Sequence, residues 1–149
     1  MNIRETLEKF ASFPVTSFDA VAPGTSLVLA PHPDDESLGC GGFIASAVAH
    51  GRPPIVVIVS DGSASHPGSR LWPPDRLARQ RQEECIRAAE ILGLSADRLI
   101  FMGLKDTRVP VEGSHFDSTV RDLLDLLSLH DCENLLAPWR YDPHCDHEA

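Results

Sequence analysis

The sequence predicts a three-layer α/β/α fold around a mostly parallel sheet. Three observations carry this. Short apolar runs alternate with stretches of helical periodicity, the pattern of successive βαβ units. The clearest run, Ile55-Val56-Val57-Ile58-Val59, is continuous and β-branched, as suits a parallel strand buried on both faces. Gly51 and Gly93 stand just past the ends of two helical stretches, where a chain leaves a helix.

Element by element, Ile3, Leu7 and Phe10 recur at helical spacing and predict a short amphipathic helix over residues 2–13. Pro14 to Gly24 reads as a connector, and Ser26 to Ala30 as a buried strand. Asp34 to Ala49 reads as a helix, because acids in its first turn complement the macrodipole. After the second strand, Asp61 to Asp75 is rich in Gly, Ser and Pro. At about fifteen residues it is long for a compact domain, and such loops are often functional. Arg76 to Leu92 reads as a helix, Arg98 to Met102 as a third strand, Phe116 to Leu129 as a helix with repeated Leu, and Asn134 to Ala137 as a fourth strand. Right-handed crossovers then predict a Rossmann-like strand order 3-2-1-4, with strands one and four side by side at the switch point where such sheets bind ligands.

The 149 residues suit one domain spanning 1–149, and 42% apolar with 23% charged is ordinary for a globular chain. A net charge of -9 argues against nucleic acid and against an anionic membrane surface as partners. No run of residues is long and apolar enough to span a bilayer. The four cysteines include no Cys-x-x-Cys pair. With no signal-peptide pattern at the start, they read as reduced thiols in a cytoplasm. His147-Glu148-Ala149 reads as the first turn of a helix whose continuation is missing, so truncation at the C-terminus is expected. The sequence leaves a homo-oligomer open.

The chemistry concentrates in two stretches. Pro31-His32-Pro33-Asp34-Asp35-Glu36 follows the first strand, and Asp142-Pro143-His144-Cys145-Asp146-His147 follows the fourth. Two His and one Asp, with a fourth position left to water, is a catalytic zinc pattern. His32 and Asp35 can face one point, with Pro33 fixing the turn between them. Asp34 would sit beside the metal and take a proton from an activated water. One imidazole of the second stretch can complete the zinc site, while the other points at substrate, oriented by a carboxylate. Capping of a helix N-terminus would explain the acidic turn alone. It does not explain a second His-rich loop facing it across the switch point.

These residues resemble the LmbE-like, or PIG-L, zinc-dependent N-acetylglucosaminyl de-N-acetylases. The first motif of that family is matched by Pro31 to Glu36 and its His-x-Asp-His motif by His144 to His147. The strand end Val59-Ser60-Asp61-Gly62 and the helix pattern Arg81, Glu84, Ala88, Leu92 and Gly93 match as well. The resemblance implies one Zn²⁺ per chain, held by His32, Asp35 and His147, and leaves other divalent metals open. It implies Asp34 as general base and then acid, His144 as the group stabilising the oxyanion, and Asp146 as the group orienting His144. It also implies a small-molecule partner, an N-acetylated sugar conjugate that loses its acetyl group. Members of the family usually continue well past the second motif.

Among weaker candidates, Arg70 and Trp72 lie in the long loop and could grip a sugar or an acidic aglycone. Asp106 follows strand three, and Trp139, Arg140 and Tyr141 precede the second motif. Cys40 and Cys145 flank the site and read as packing residues, since no base is dedicated to either. Two alternatives remain at this point: a zinc hydrolase of another amide or ester, and a sugar- or metal-binding module that has lost catalysis. Retention of Asp34 speaks against the second, because a binder needs no base.

Overall fold

The computed structural model describes residues 2–139 and 141–149. β1 (Thr25–Ala30), β2 (Ile55–Ser60), β3 (Leu99–Leu104) and β4 (Cys132–Leu136) form one parallel sheet in the order β3-β2-β1-β4, as the crossovers predict. β2 is buried along its whole length, which accounts for its unbroken β-branched composition. Each such aliphatic side chain contributes roughly 1.5–3 kcal/mol on burial.

Helices α1 (Ile3–Ala11), α2 (Phe18–Val21), α3 (Asp35–Ala49), α4 (Pro74–Ile91), α5 (Gly113–Leu129) and α6 (Cys145–Glu148), with a 3-10 turn at Ala96–Arg98, complete the described fold. On one face, Val28, Ala30, Val56 and Ile58 pack with Ile44 of α3 and with Cys85 and Ala89 of α4. On the other face, Leu27, Ile55 and Val57 pack with Leu123, Leu126 and Leu127 of α5. The sheet is thus covered on both sides, giving the three layers.

Several boundaries differ from expectation for local reasons. The connector after α1 contains α2, because the Ser17 hydroxyl accepts the Ala20 N–H and Phe18 stacks on His50 and packs tilted against Phe43. α4 begins at Pro74, where a missing N–H costs nothing. α5 starts at Gly113, three positions before Phe116, where the helix is expected to begin. β4 runs from Cys132 to Leu136, shifted by the register that pairs Leu27 with Leu135 and Val28 with Leu136. The helix expected over 2–13 forms as α1, capped by a reciprocal Asn2–Glu5 box, yet none of its residues is buried. Among the described residues, no helix is long and apolar enough to cross a membrane.

The pairing of β1 with β4 brings the two motifs together. His32 follows β1 directly, and His147 lies on the single turn α6 beyond β4.

Candidate active site

Three donor atoms from both motifs form a nearly equilateral triangle. His32 Nδ1 lies 3.3 Å from Asp35 Oδ2, His147 Nε2 lies 3.3 Å from the same oxygen, and the two ring nitrogens are 3.3 Å apart. Zinc bonds of roughly 2.0–2.1 Å in tetrahedral geometry place neighbouring donors about 3.3–3.4 Å apart. The triangle therefore has the dimensions of one face of a zinc tetrahedron, and its donor set suits that ion. His32, His144 and His147 also offer donors within 4.8 Å of one another, a looser grouping. The shorter distances favour Asp35 as the third corner.

The far nitrogen of His32 is held by two buried carboxylates. Nε2 lies 3.0 Å from Asp146 Oδ2 and 3.3 Å from Asp106 Oδ1. Burial alone would lower the His32 pKa. Hydrogen bonds to Asp35 and Asp146 and the nearby Asp106 charge outweigh it and raise the value. Asp35 moves the other way: burial would raise it, but the His32 side chain and backbone and the His147 charge pull it below the usual carboxylate range. A His donating its outer nitrogen to a carboxylate fixes the ring and its tautomer, a recurrent feature behind metal ligands.

Asp146 corrects an expectation. Its carboxylate was expected on His144, but it sits on His32 and also accepts the backbone N–H groups of Thr107 at 2.7 Å and Val109 at 3.2 Å. Burial would raise its pKa. These bonds lower it instead. His144 is oriented by a different part of the same residue: its Nδ1 accepts the Asp146 backbone N–H at 3.2 Å. A neutral imidazole that accepts at Nδ1 carries its proton on Nε2, so His144 presents an N–H donor. Its ring stands edge-on to His32, with centroids 4.5 Å apart.

Asp34 lines the same pocket, a cavity of about 420 Å³ that also takes in Ser65, Arg81, Asp106 and the three imidazoles. Its carboxylate is 2.7 Å from Arg81 Nη2, which also donates to Pro33 O at 3.0 Å. Arg81 Nη1 reaches Gly62 O at 3.2 Å. A Cβ at Gly62 would come within 2.6 Å of that guanidinium, and φ there is +62°, so glycine is needed on both counts. Glu36, 1% exposed, accepts the Asp34 backbone N–H at 2.9 Å and holds the turn from beneath. Burial raises the Glu36 pKa, and the Cys85 thiol beside it is pushed well above the usual thiol range, first by burial and then by the Glu36 charge.

The weaker candidates divide. Trp72 lines a second cavity that continues from the first. Asp106 reaches the crevice, but it is buried against His32 and the Ala64 N–H rather than presented as a substrate contact. Arg70 is exposed and lines neither cavity. Arg140 lies outside the described residues. Sequence reasoning assigned no role to Arg81 or Asp142. Asp142 Oδ2 lies 3.4 Å from His147 Nδ1, and its Oδ1 accepts the His144 N–H. A signal for Arg81 was present: it falls four positions from buried Leu77 and four from buried Cys85, a charge on the core stripe of α4. A larger groove of about 980 Å³ between β3 and α5 contains none of the motif residues.

Comparisons with known proteins bear on the family and the fold. Residues 27–149 match the family described as GlcNAc-PI de-N-acetylase, PIG-L. The diacetylchitobiose deacetylase of Thermococcus kodakarensis is 34% identical over 84 residues, covering 56% of this chain and 30% of that one. The N,N'-diacetylchitobiose deacetylase from Pyrococcus horikoshii, solved with an inhibitor, superposes with a TM-score of 0.76 at 25% identity, over 99% of this chain and 55% of that one. The 4-carboxy-2-hydroxymuconate hydratase from Pseudomonas putida superposes with a TM-score of 0.71 at 27% identity, over 83% and 51%. The chain thus spans about half the length of these solved relatives and less of the curated one. With both motifs meeting at one switch point and the family match running from β1 through α6, the chain belongs to the PIG-L family of GlcNAc-PI de-N-acetylases.

Proposed function

We propose that this protein is a zinc-dependent hydrolase that removes the acetyl group from an N-acetylated amino sugar of the N-acetylglucosamine type. The observation that carries the reading is the 3.3 Å triangle of His32, Asp35 and His147 with the Asp34 carboxylate in the same cavity. A divalent ion held there would make a water nucleophilic near neutral pH and polarise the acetyl carbonyl.

The chain's own groups supply the rest. Asp34 takes the proton of the attacking water and returns it to the departing amine, while Arg81 and Glu36 fix where that carboxylate stands. His144, with its proton on Nε2, donates to the oxygen on which charge develops. Asp146 and Asp106 keep His32 turned with Nδ1 toward the triangle, and Asp142, at Nδ1 of His147, keeps that ring turned with Nε2 toward it. The four free thiols support a reducing compartment, the cytoplasm.

The likeness to a hydratase favours one second reading, addition of water to a carbon–carbon double bond with the same base. The test is direct. Protein loaded with one equivalent of Zn²⁺ is incubated with acetylated amino sugars and with unsaturated dicarboxylic acids. Acetate release from the sugars that is abolished by chelation is expected. Hydration of the acids without acetate release would replace the reading.

A further inference from the structure

Two apolar surfaces of this fold are complementary. One is α1. Ile3, Leu7 and Phe10 stand at i, i+4 and i+7 on one face of the helix, and each is 60% exposed or more. Phe13 extends that face just past the helix, its ring 6.0 Å from that of Phe10. The other surface is the groove of about 980 Å³ between β3 and α5. Its floor is Ile100, Met102 and Leu104, alternate residues of an edge strand, and its wall includes Leu126 and Leu129. No residue of α5 is buried, so this helix covers its side of the sheet only in part.

Length and charge agree. Ile3 to Phe10 covers about 10 Å along a helix axis, and Ile100 to Leu104 about 13 Å along a strand. Side chains at i, i+4 and i+7 are the anchors with which an amphipathic helix seats in such a groove. The α5 wall is acidic, with Asp122 and Asp125, and α1 brings Arg4 and Lys9. Toward the loop after β3 the groove carries Arg108, and α1 brings Glu5 and Glu8. The Arg4–Glu8 pair within α1 faces solvent and re-pairs with little loss.

α1 does not reach the groove of its own chain. α2 is fixed to α3: Phe18 lies 5.4 Å from Phe43 and 4.7 Å from His50, and Asp19 pairs with Arg52. α3 packs on the face of the sheet opposite α5. Only residues 12–17 join α1 to α2. Fully extended, they reach about 20 Å. Two layer spacings of roughly 10 Å each use that up before any passage round the β3 edge.

We propose that two copies of this chain exchange α1 about a two-fold axis, the apolar face of each helix lying in the β3–α5 groove of the other. One such contact is small beside the roughly 1,200–2,000 Å² of a stable interface, and the two-fold both doubles it and closes the assembly. The groove contains none of the motif residues, so the exchange leaves the pocket at the triangle open.

Sedimentation velocity from micromolar to submillimolar concentration measures the dimer constant of the wild-type protein, of Leu7→Asp in α1 and of Leu129→Asp in the groove wall. Both positions are well exposed, at 60% and 74%, and thermal melts at the lowest concentration check that both variants fold. A wild-type dimer is expected, with Kd raised at least roughly a hundredfold in each variant, because symmetry counts every lost contact twice. Hydrogen exchange should show α1 protected in the dimer and unprotected in both variants. A dimer that either variant leaves intact places the contact elsewhere and overturns the proposal. A wild-type monomer at every concentration also overturns it. If α1 is nevertheless protected in that monomer, and Leu129→Asp releases it, the occupant is the chain's own helix.

Discussion

At the end of β1 the chain is buried from both sides. Leu27, Val28 and Ala30 are core residues, and the motif that follows keeps His32 and Glu36 buried. β4, which delivers the other half of the site through α6, alternates instead, with Leu135 54% exposed. The first motif is positioned by packing and the second by polar attachment. Asp146, 6% exposed, ties α6 to the backbone after β3 through Thr107 and Val109 and to His32, while Asp142 ties His144 and His147 to one another. Within the described residues, this half of the site depends strongly on two or three charged side chains.

The largest effect tests the division of labour inside the packed half. Asp34→Asn should lower turnover by about 10²–10⁴-fold while elemental analysis still finds one metal per chain, because an amide cannot accept the proton of water. Loss of metal in this variant, with metal kept in Asp35→Asn, would exchange the two roles.

Next comes the stability contrast. Ile58→Ala in β2 should cost about 2–5 kcal/mol by chemical denaturation, as for a fully buried aliphatic side chain. Leu135→Ala in β4 should stay within about 0.5 kcal/mol, as at an exposed site. Equal losses would mean that β4 is packed as tightly as β2.

A smaller effect is expected from the polar tie itself. Asp146→Ala should weaken zinc roughly 10–100-fold in a competition titration with a chromophoric chelator, since both His32 and α6 lose their anchor. Unaltered affinity would show that α6 is placed without it.

The smallest concerns Asp61, which joins the loops after β2 and β3 through Lys105 at 2.9 Å and the backbone N–H groups of Ser63 and Asp106. Burial would raise its pKa, yet these bonds hold it below the usual carboxylate range. A lowered folded-state pKa means stability that is present above the unfolded value of about 3.9 and lost as pH falls through the folded one. Thermal melts of Asp61→Asn should therefore lie below the wild-type protein at pH 7 and converge with it under acid conditions. A gap that persists unchanged at low pH would remove the charge from the explanation.

By itself the sequence determined the sheet, its parallel order and the meeting of the two motifs. Those rest on local periodicity and on the hand of βαβ crossovers, both written in short stretches of chain. It also singled out His32, Asp34, Asp35, His144, Asp146 and His147, because metal-ligand types at such spacing are rare outside sites. What only the tertiary structure decided is which atom of each residue faces which partner. Asp146 turned from His144 to His32 because backbone N–H groups from the loop after β3, nearly forty positions away in sequence, fill its other lone pairs. Asp106 became a support for His32, and Arg81 the partner of Asp34, for the same reason. Hydrogen-bond partners across a crevice depend on loop paths and side-chain rotamers, and these carry no periodicity from which sequence could read them.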